Sequence, residues 1–180
     1  MSTLHVENLK GLSSGDNANK IIVPSGQTID ASAGTLVPSA GAVIQVVQGG
    51  ATAYTVKTSS AMTDALTCSI TPTSTSSKIL VNMNLNGITI GNNSHWMKLE
   101  LHRDSTLIRH ISGICGYSVS HIHYNTDLSA DYLDSPSTTS SITYKLKFGC
   151  SSNSVSCAFN NYGGSNNTTS SAMTLMEIAG

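Results

Sequence analysis

The sequence predicts an all-β protein, with an extended N-terminal arm or stalk over residues 1–41 and an antiparallel, jelly-roll-like β-sandwich knob over residues 42–180. Three observations predict it. Charged residues are only 11% of the chain, so helices would lack the Glu, Lys and Arg that normally coat them, while abundant Ser, Thr, Asn and Gly suit strands and tight turns. From Ala42 onward apolar residues recur at every second position, and turn residues return about every ten positions, as in a sandwich or barrel. Before that point Val-Pro-Ser occurs at 23–25 and again at 37–39, and proline has no amide hydrogen to give a central strand.

The arm places Ile22, Val23, Ile29, Leu36 and Val37 beside prolines and small polar residues, with too little chain around them to form a core. These positions are expected to be covered by other copies of the chain, with Gly26, Gly34 and Gly41 permitting turns or close approach. The knob begins with the short runs "AVIQVV" and "AYTVKT". In "ALTCSIT", Leu66, Cys68 and Ile70 share a face. In "KILVNMNLNG", Ile79, Val81, Met83 and Leu85 face one way while Lys78, Asn82, Asn84 and Asn86 face the other. In "HWMKLELHRD", Met97, Leu99 and Leu101 alternate with Trp96, Lys98, Glu100 and His102, and Asp104-Ser105 turns the chain into "TLIRHI". "YSVSHIHY" and "DLSADYL" read as further strands. "SITYKLKFGC" and "SVSCAFN" follow, with Ile142, Tyr144, Leu146, Phe148, Cys150, Val155, Cys157 and Phe159 on inward faces.

The final run, "SAMTLMEIAG", breaks the rule: Met173 and Leu175 occupy one face, while Ala172, Met176 and Ile178 are available to the other. Either a central strand within the sandwich or a second face in a subunit interface explains it, so Met176 and Ile178 join the arm residues as candidate oligomer contacts. The four cysteines, Cys68, Cys115, Cys150 and Cys157, form no CxxC motif, and three of them fall on inward strand faces, which points to buried free thiols.

A formal net charge of -1 gives no basic stripe for a phosphate backbone, so nucleic acid is not an expected partner. Met1-Ser2-Thr3-Leu4 opens without a basic region and apolar core, and no apolar run approaches the roughly 20 residues that cross a bilayer. Synthesis in a cytoplasm and no membrane insertion are expected. There is no GxSxG elbow, HExxH pair, P-loop or GxGxxG, so no enzyme and no cofactor are expected. Asp127, Asp131 and Asp134 would suit glycoside hydrolysis only at a fixed separation across a cleft, which nothing in the sequence fixes, and turn capping and solvation explain them well. His121 and His123 project from one strand face, where three symmetry-related copies could offer six nitrogens to one axial metal; exposed or hydrogen-bonded strand histidines are the plainer reading. Trp96, Tyr117, Tyr124, Tyr132 and Tyr162 lie near Asn- or Gly-rich loops, a setting that suits sugar rings, with aromatic faces to stack on them and amides to bond their hydroxyls; capping of the sandwich ends with wet tyrosine hydroxyls is the alternative.

"MSTLHVENLKGLSSG" with "NKIIVPSGQTIDASAGTLVPSAG" resembles the N-termini of tail-fibre and other virion structural proteins of marine bacteriophages, of the cyanophage and pelagiphage kind. "SSAMTLMEIAG" resembles the C-terminal end of many of them. The resemblance implies homotrimers located on the virion, an N-terminal part that docks on other virion proteins or threads a stalk, and a β-rich knob. For that knob a jelly-roll trimer of the tumour-necrosis-factor or C1q kind is the nearest analogy. It also implies that the His121 and His123 pair could serve as in other phage fibres that use His-x-His. Two tasks fit such a chain, attachment to host-surface glycans as a tail fibre and decoration or reinforcement of the capsid as a head fibre. A stand-alone lectin-like adhesin is a further alternative.

Overall fold

A computed structural model of the chain describes residues 13–16, 18, 20–28, 38–91, 95–116, 126–161 and 169–180, with backbone alone for 112–116. The chain divides into two units, Met1–Val37 and Pro38–Gly180. In the first unit the run Ile21, Ile22 and Val23 lies exposed. It ends at a tight turn in which the Gln27 amide donates to Pro24 O at 3.1 Å. Gly26, at φ +81, takes the third position of that turn, where a side chain would be strained. Ile29, Leu36 and Val37 lie outside the described residues.

Among its described residues the second unit contains ten strands and no helix. They are β1 (Val43–Ala51), β2 (Thr55–Lys57), β3 (Thr63–Ile70), β4 (Lys78–Ile90), β5 (His95–Arg103), β6 (Thr106–Gly116), β7 (Thr126–Asp134), β8 (Ile142–Cys150), β9 (Cys157–Phe159) and β10 (Ser171–Ile178). All pairings are antiparallel, in two sheets. Sheet one runs β1-β10-β4-β9-β2, with β7 also paired to β4; sheet two runs β3-β8-β5-β6. The "YSVSHIHY" segment lies outside the described residues.

Alternation builds the sandwich. Sheet one sends Ile79, Val81, Met83, Leu85, Met173 and Leu175 into one core, where they meet Leu66, Met97, Leu99, Leu101, Tyr144, Leu146 and Phe148 from sheet two. Phe148 and Phe159 pack edge to face, with centroids 5.2 Å apart. Cys68, Cys150 and Cys157 are free and buried. Burial raises the Cys157 thiol pKa and the neighbouring Cys150 thiol raises it further, which suits a small core hydrophobe rather than a nucleophile.

One position lets β4 serve two sets of neighbours. Its pairing with β7 slips between Leu85 and Ile88, and its last residues, Thr89 and Ile90, pair with β9. At the slip Gly87 has φ +60, and a Cβ there would collide with the Asn161 backbone. Its amide donates to Asp127 Oδ1 at 2.8 Å. Beside it a buried polar chain closes the sheet. The Asn86 amide donates to Ser171 Oγ (2.9 Å), Ser171 Oγ donates to Asn160 Oδ1 (2.6 Å), and Asn160 Nδ2 reaches Ala51 O (2.8 Å) and Ala53 O (3.1 Å). With those partners, Asn160 is satisfied although it is fully buried.

Candidate functional site

Two buried carboxylates lie in one row of sheet one, on either side of Ile79. Asp134, at the end of β7 in sheet one, accepts from Tyr144 Oη at 2.6 Å and from Arg103 Nη1 at 2.7 Å, both from sheet two. Burial, then the bond to Asp134, holds the Tyr144 hydroxyl well above the ordinary tyrosine range, so it stays a proton donor to that carboxylate. Turn capping and solvation, expected for Asp134 from the sequence, do not describe this buried carboxylate. The structure instead makes it a buried tie between the sheets, because β7 ends where β5 and β8 supply donors.

Glu177 on β10 is fully buried. It accepts from Gln45 Nε2 (2.6 Å), the Thr73 amide (2.7 Å) and Thr73 Oγ1 (2.7 Å). Burial alone would raise its pKa, but neighbouring donors outweigh that and hold it below the ordinary carboxylate range. Ser77 stands among them and favours the charge, although its Oγ forms no hydrogen bond of acceptable geometry. The effect is to pin the loop before β4 against β1 and β10.

The outer faces of the two sheets carry the surfaces available for recognition, and they differ sharply. On sheet one, Val46 lies opposite Met176, Met176 opposite Leu80, and Leu80 opposite Leu133. These four residues form an apolar row across β1, β10, β4 and β7. Val46 is 55% exposed and Leu133 50%, with Met176 and Leu80 half-buried between them. Val43 and Ile178, paired in the next row, extend it into a stripe, with Lys78 beyond them. On the other side lie Gln48, Thr174, Asn82 and Asp131, then Gly50, Ala172, Asn84 and Ser129. Within these rows Lys78 and Asp131 are the only charges.

The outer face of sheet two has an equivalent row of opposite character. Asp64, Lys147, Glu100 and His110 stand opposite one another across β3, β8, β5 and β6. Lys147 Nζ is 2.7 Å from Asp64 Oδ1, and Glu100 receives His102 Nε2 at 3.0 Å and His110 Nδ1 at 3.5 Å. An open groove of about 700 Å³ lies here, its polar lining formed chiefly by Glu100, His102, Asp104, Thr143, Lys145 and Lys147. Most of these groups already bond one another, leaving His102 Nδ1 as a buried ring nitrogen without a partner.

The residues nominated from sequence are not gathered in one place. Trp96 is 44% exposed on the outer face of sheet two. Tyr132 is on β7 of sheet one, packed against the core with the Arg109 guanidinium 5.7 Å from its ring. Tyr117, Tyr124, Tyr162, His121 and His123 lie outside the described residues. Among the described residues no group of three or more His, Cys, Asp or Glu side chains has the arrangement of a metal site. Met176 and Ile178 both lie on the outer face of a central strand, within the apolar stripe. Sequence reasoning missed their neighbours Val43, Val46, Leu80 and Leu133. The available signal was Leu80, an apolar residue between Lys78 and Asn82 on the face assigned to solvent.

Comparison with protein-family models finds no match, and comparison with curated proteins finds none either.

Proposed function

We propose that the chain is a bacteriophage virion structural protein that forms a short trimeric fibre or spike, its arm attached to other virion proteins and its knob presented to host-surface glycans. The observation that carries this reading is the exposed run Ile21, Ile22 and Val23 in a unit separate from a sandwich that has its own complete core. Branched apolar side chains left in water at the head of a chain favour association: burial is worth about 25 cal/mol per Å², so a few hundred Å² per chain offsets much of the entropy of ordering an arm. The resemblance of the N-terminal segment to marine phage virion proteins supplies the setting.

The strand order supports a jelly-roll knob. From β3 the chain crosses to β4 in sheet one, back to β5 and β6, over to β7, back to β8 and over to β9 and β10. Four strands then lie in the order β1-β10-β4-β7 against four in the order β3-β8-β5-β6, which is the interleaving of a two-sheet jelly roll. Trp96 and the polar groove on sheet two's outer face are the surfaces this reading directs toward a glycan.

Light scattering on the full chain, followed by imaging of virions with an antibody against the knob, tests it. A trimer mass and label at the tail end are expected. Label over the head would transfer the same trimer to capsid decoration, and a monomer at every concentration would overturn the reading.

A further inference from the structure

We infer that the apolar stripe of Val43, Val46, Leu80, Leu133, Met176 and Ile178 is where knobs of this chain pack on one another, each copy turning this face toward the common three-fold axis. The inference rests on the proposed trimer and specifies where it closes.

The stripe is continuous because its residues are register partners across four adjacent strands. It is not a scatter of single exposed residues, which would need no explanation. Its composition selects the occupant. A surface with a charged centre would strand that charge against Met176 and Leu80, and the opposite outer face of this sandwich has such a centre in Lys147 and Glu100. The same stripe on another copy strands nothing. The rows beside it carry amides and hydroxyls, already joined by Gln48 Nε2 to Thr174 Oγ1 at 2.9 Å. An apolar centre containing Met, free of charge and bordered by polar groups, is the anatomy of a protein interface. Lys78 and Asp131, of opposite sign, sit on either side of the stripe, so copies can meet without net repulsion.

Size points the same way. Four strands about 4.8 Å apart, over about seven residues at roughly 3.3 Å each, present on the order of 400 Å² in projection. That is about half of the ~800 Å² per partner in a standard stable complex. The face therefore acts as one contact among several between the same copies, with the apolar arm supplying another.

The test uses the full chain. Val46→Glu and Leu133→Lys alter half-exposed outward positions and leave the core untouched; Leu107→Glu makes a comparable change at an exposed apolar residue of the other sheet. Light scattering and sedimentation across concentration should show each stripe variant weakening association by roughly 30-fold or more, as for loss of an interface hot spot. Leu107→Glu should match wild type. Methionine oxidation by hydrogen peroxide provides a readout on unmutated protein, so it does not depend on any variant folding. Met176 should oxidise slowly where the chain is associated and faster once dilution separates it. Folded variants that keep the wild-type mass, or a Met176 oxidation rate independent of assembly, would overturn the inference while leaving the trimer intact and assign the face to a different partner. A monomeric wild-type chain would instead remove the trimer reading itself.

Discussion

The outer faces of the two sheets are built on one plan and finished in opposite ways. Each has a row of four residues in register across four strands; one row reads Val46, Met176, Leu80 and Leu133, the other Asp64, Lys147, Glu100 and His110. The charged row satisfies itself, since every member has an opposite or polar neighbour within reach, and it keeps that face wet. Among the described residues nothing covers the apolar row, and Val46 and Leu133 stay half-exposed. Two faces of one sandwich thus differ in kind, one charged and internally paired, the other apolar and partly exposed.

The largest way to break this contrast is to let the two sheets separate. Asp134→Ala removes the acceptor for both Tyr144 and Arg103 and leaves the buried Tyr144 hydroxyl without its partner. A loss of about 3 kcal/mol is expected in urea unfolding, with Asp134→Asn recovering part of it.

Next in size is the carboxylate beneath the apolar face. Glu177→Gln turns an acceptor into an amide whose NH₂ must face a donor, either Gln45 Nε2 or the Thr73 groups. About 2 kcal/mol of stability should be lost at pH 7. The pH dependence has a definite sign. Because the folded pKa of Glu177 is lowered, its contribution is complete above the unfolded carboxylate value of about 4.3 and disappears as pH falls through the folded value. The stability difference between wild type and Glu177→Gln should therefore narrow in acid, as chemical denaturation at a series of pH values would show.

Making the faces alike sharpens the comparison further. Glu100→Leu with Lys147→Leu gives sheet two its own apolar row; folding should survive, while light scattering should record aggregates that grow with concentration. The smallest effect belongs to single charges in the row. Asp64→Asn should change stability by no more than about 1 kcal/mol, and salt should erase most of that, since partly exposed ion pairs are worth little.

Much of the fold was legible because alternation reports which side chains face a core. Ile79, Val81, Met83 and Leu85 announced β4, and Met173 with Leu175 announced β10. Alternation does not say which strands become neighbours. Val46, Leu80, Leu133 and Met176 are far apart in the chain, and only pairing of β10 between β1 and β4, with β7 on the far side of β4, aligns them. Asp134 and Glu177 were obscure for a related reason. A carboxylate in a strand reads as solvated until the donors that meet it are known, and Tyr144, Arg103, Gln45 and Thr73 come from other strands and loops. For Glu177 a local clue existed, since it shares the face of Met173 and Leu175 and breaks an otherwise apolar series.

The insertion of β10 between β1 and β4 imposes an order on synthesis. No complete sheet one exists until residues 171–178 have left the ribosome, although β1 was made more than a hundred residues earlier. In the interval β1 and β4 lack their shared neighbour, while the arm has long been free to find arms on other nascent chains. Pairings so distant in sequence close slowly. In the proposed trimer, meeting of the arms can thus precede closure of the knobs and bring the late-forming faces of neighbouring copies together at the moment each is finished.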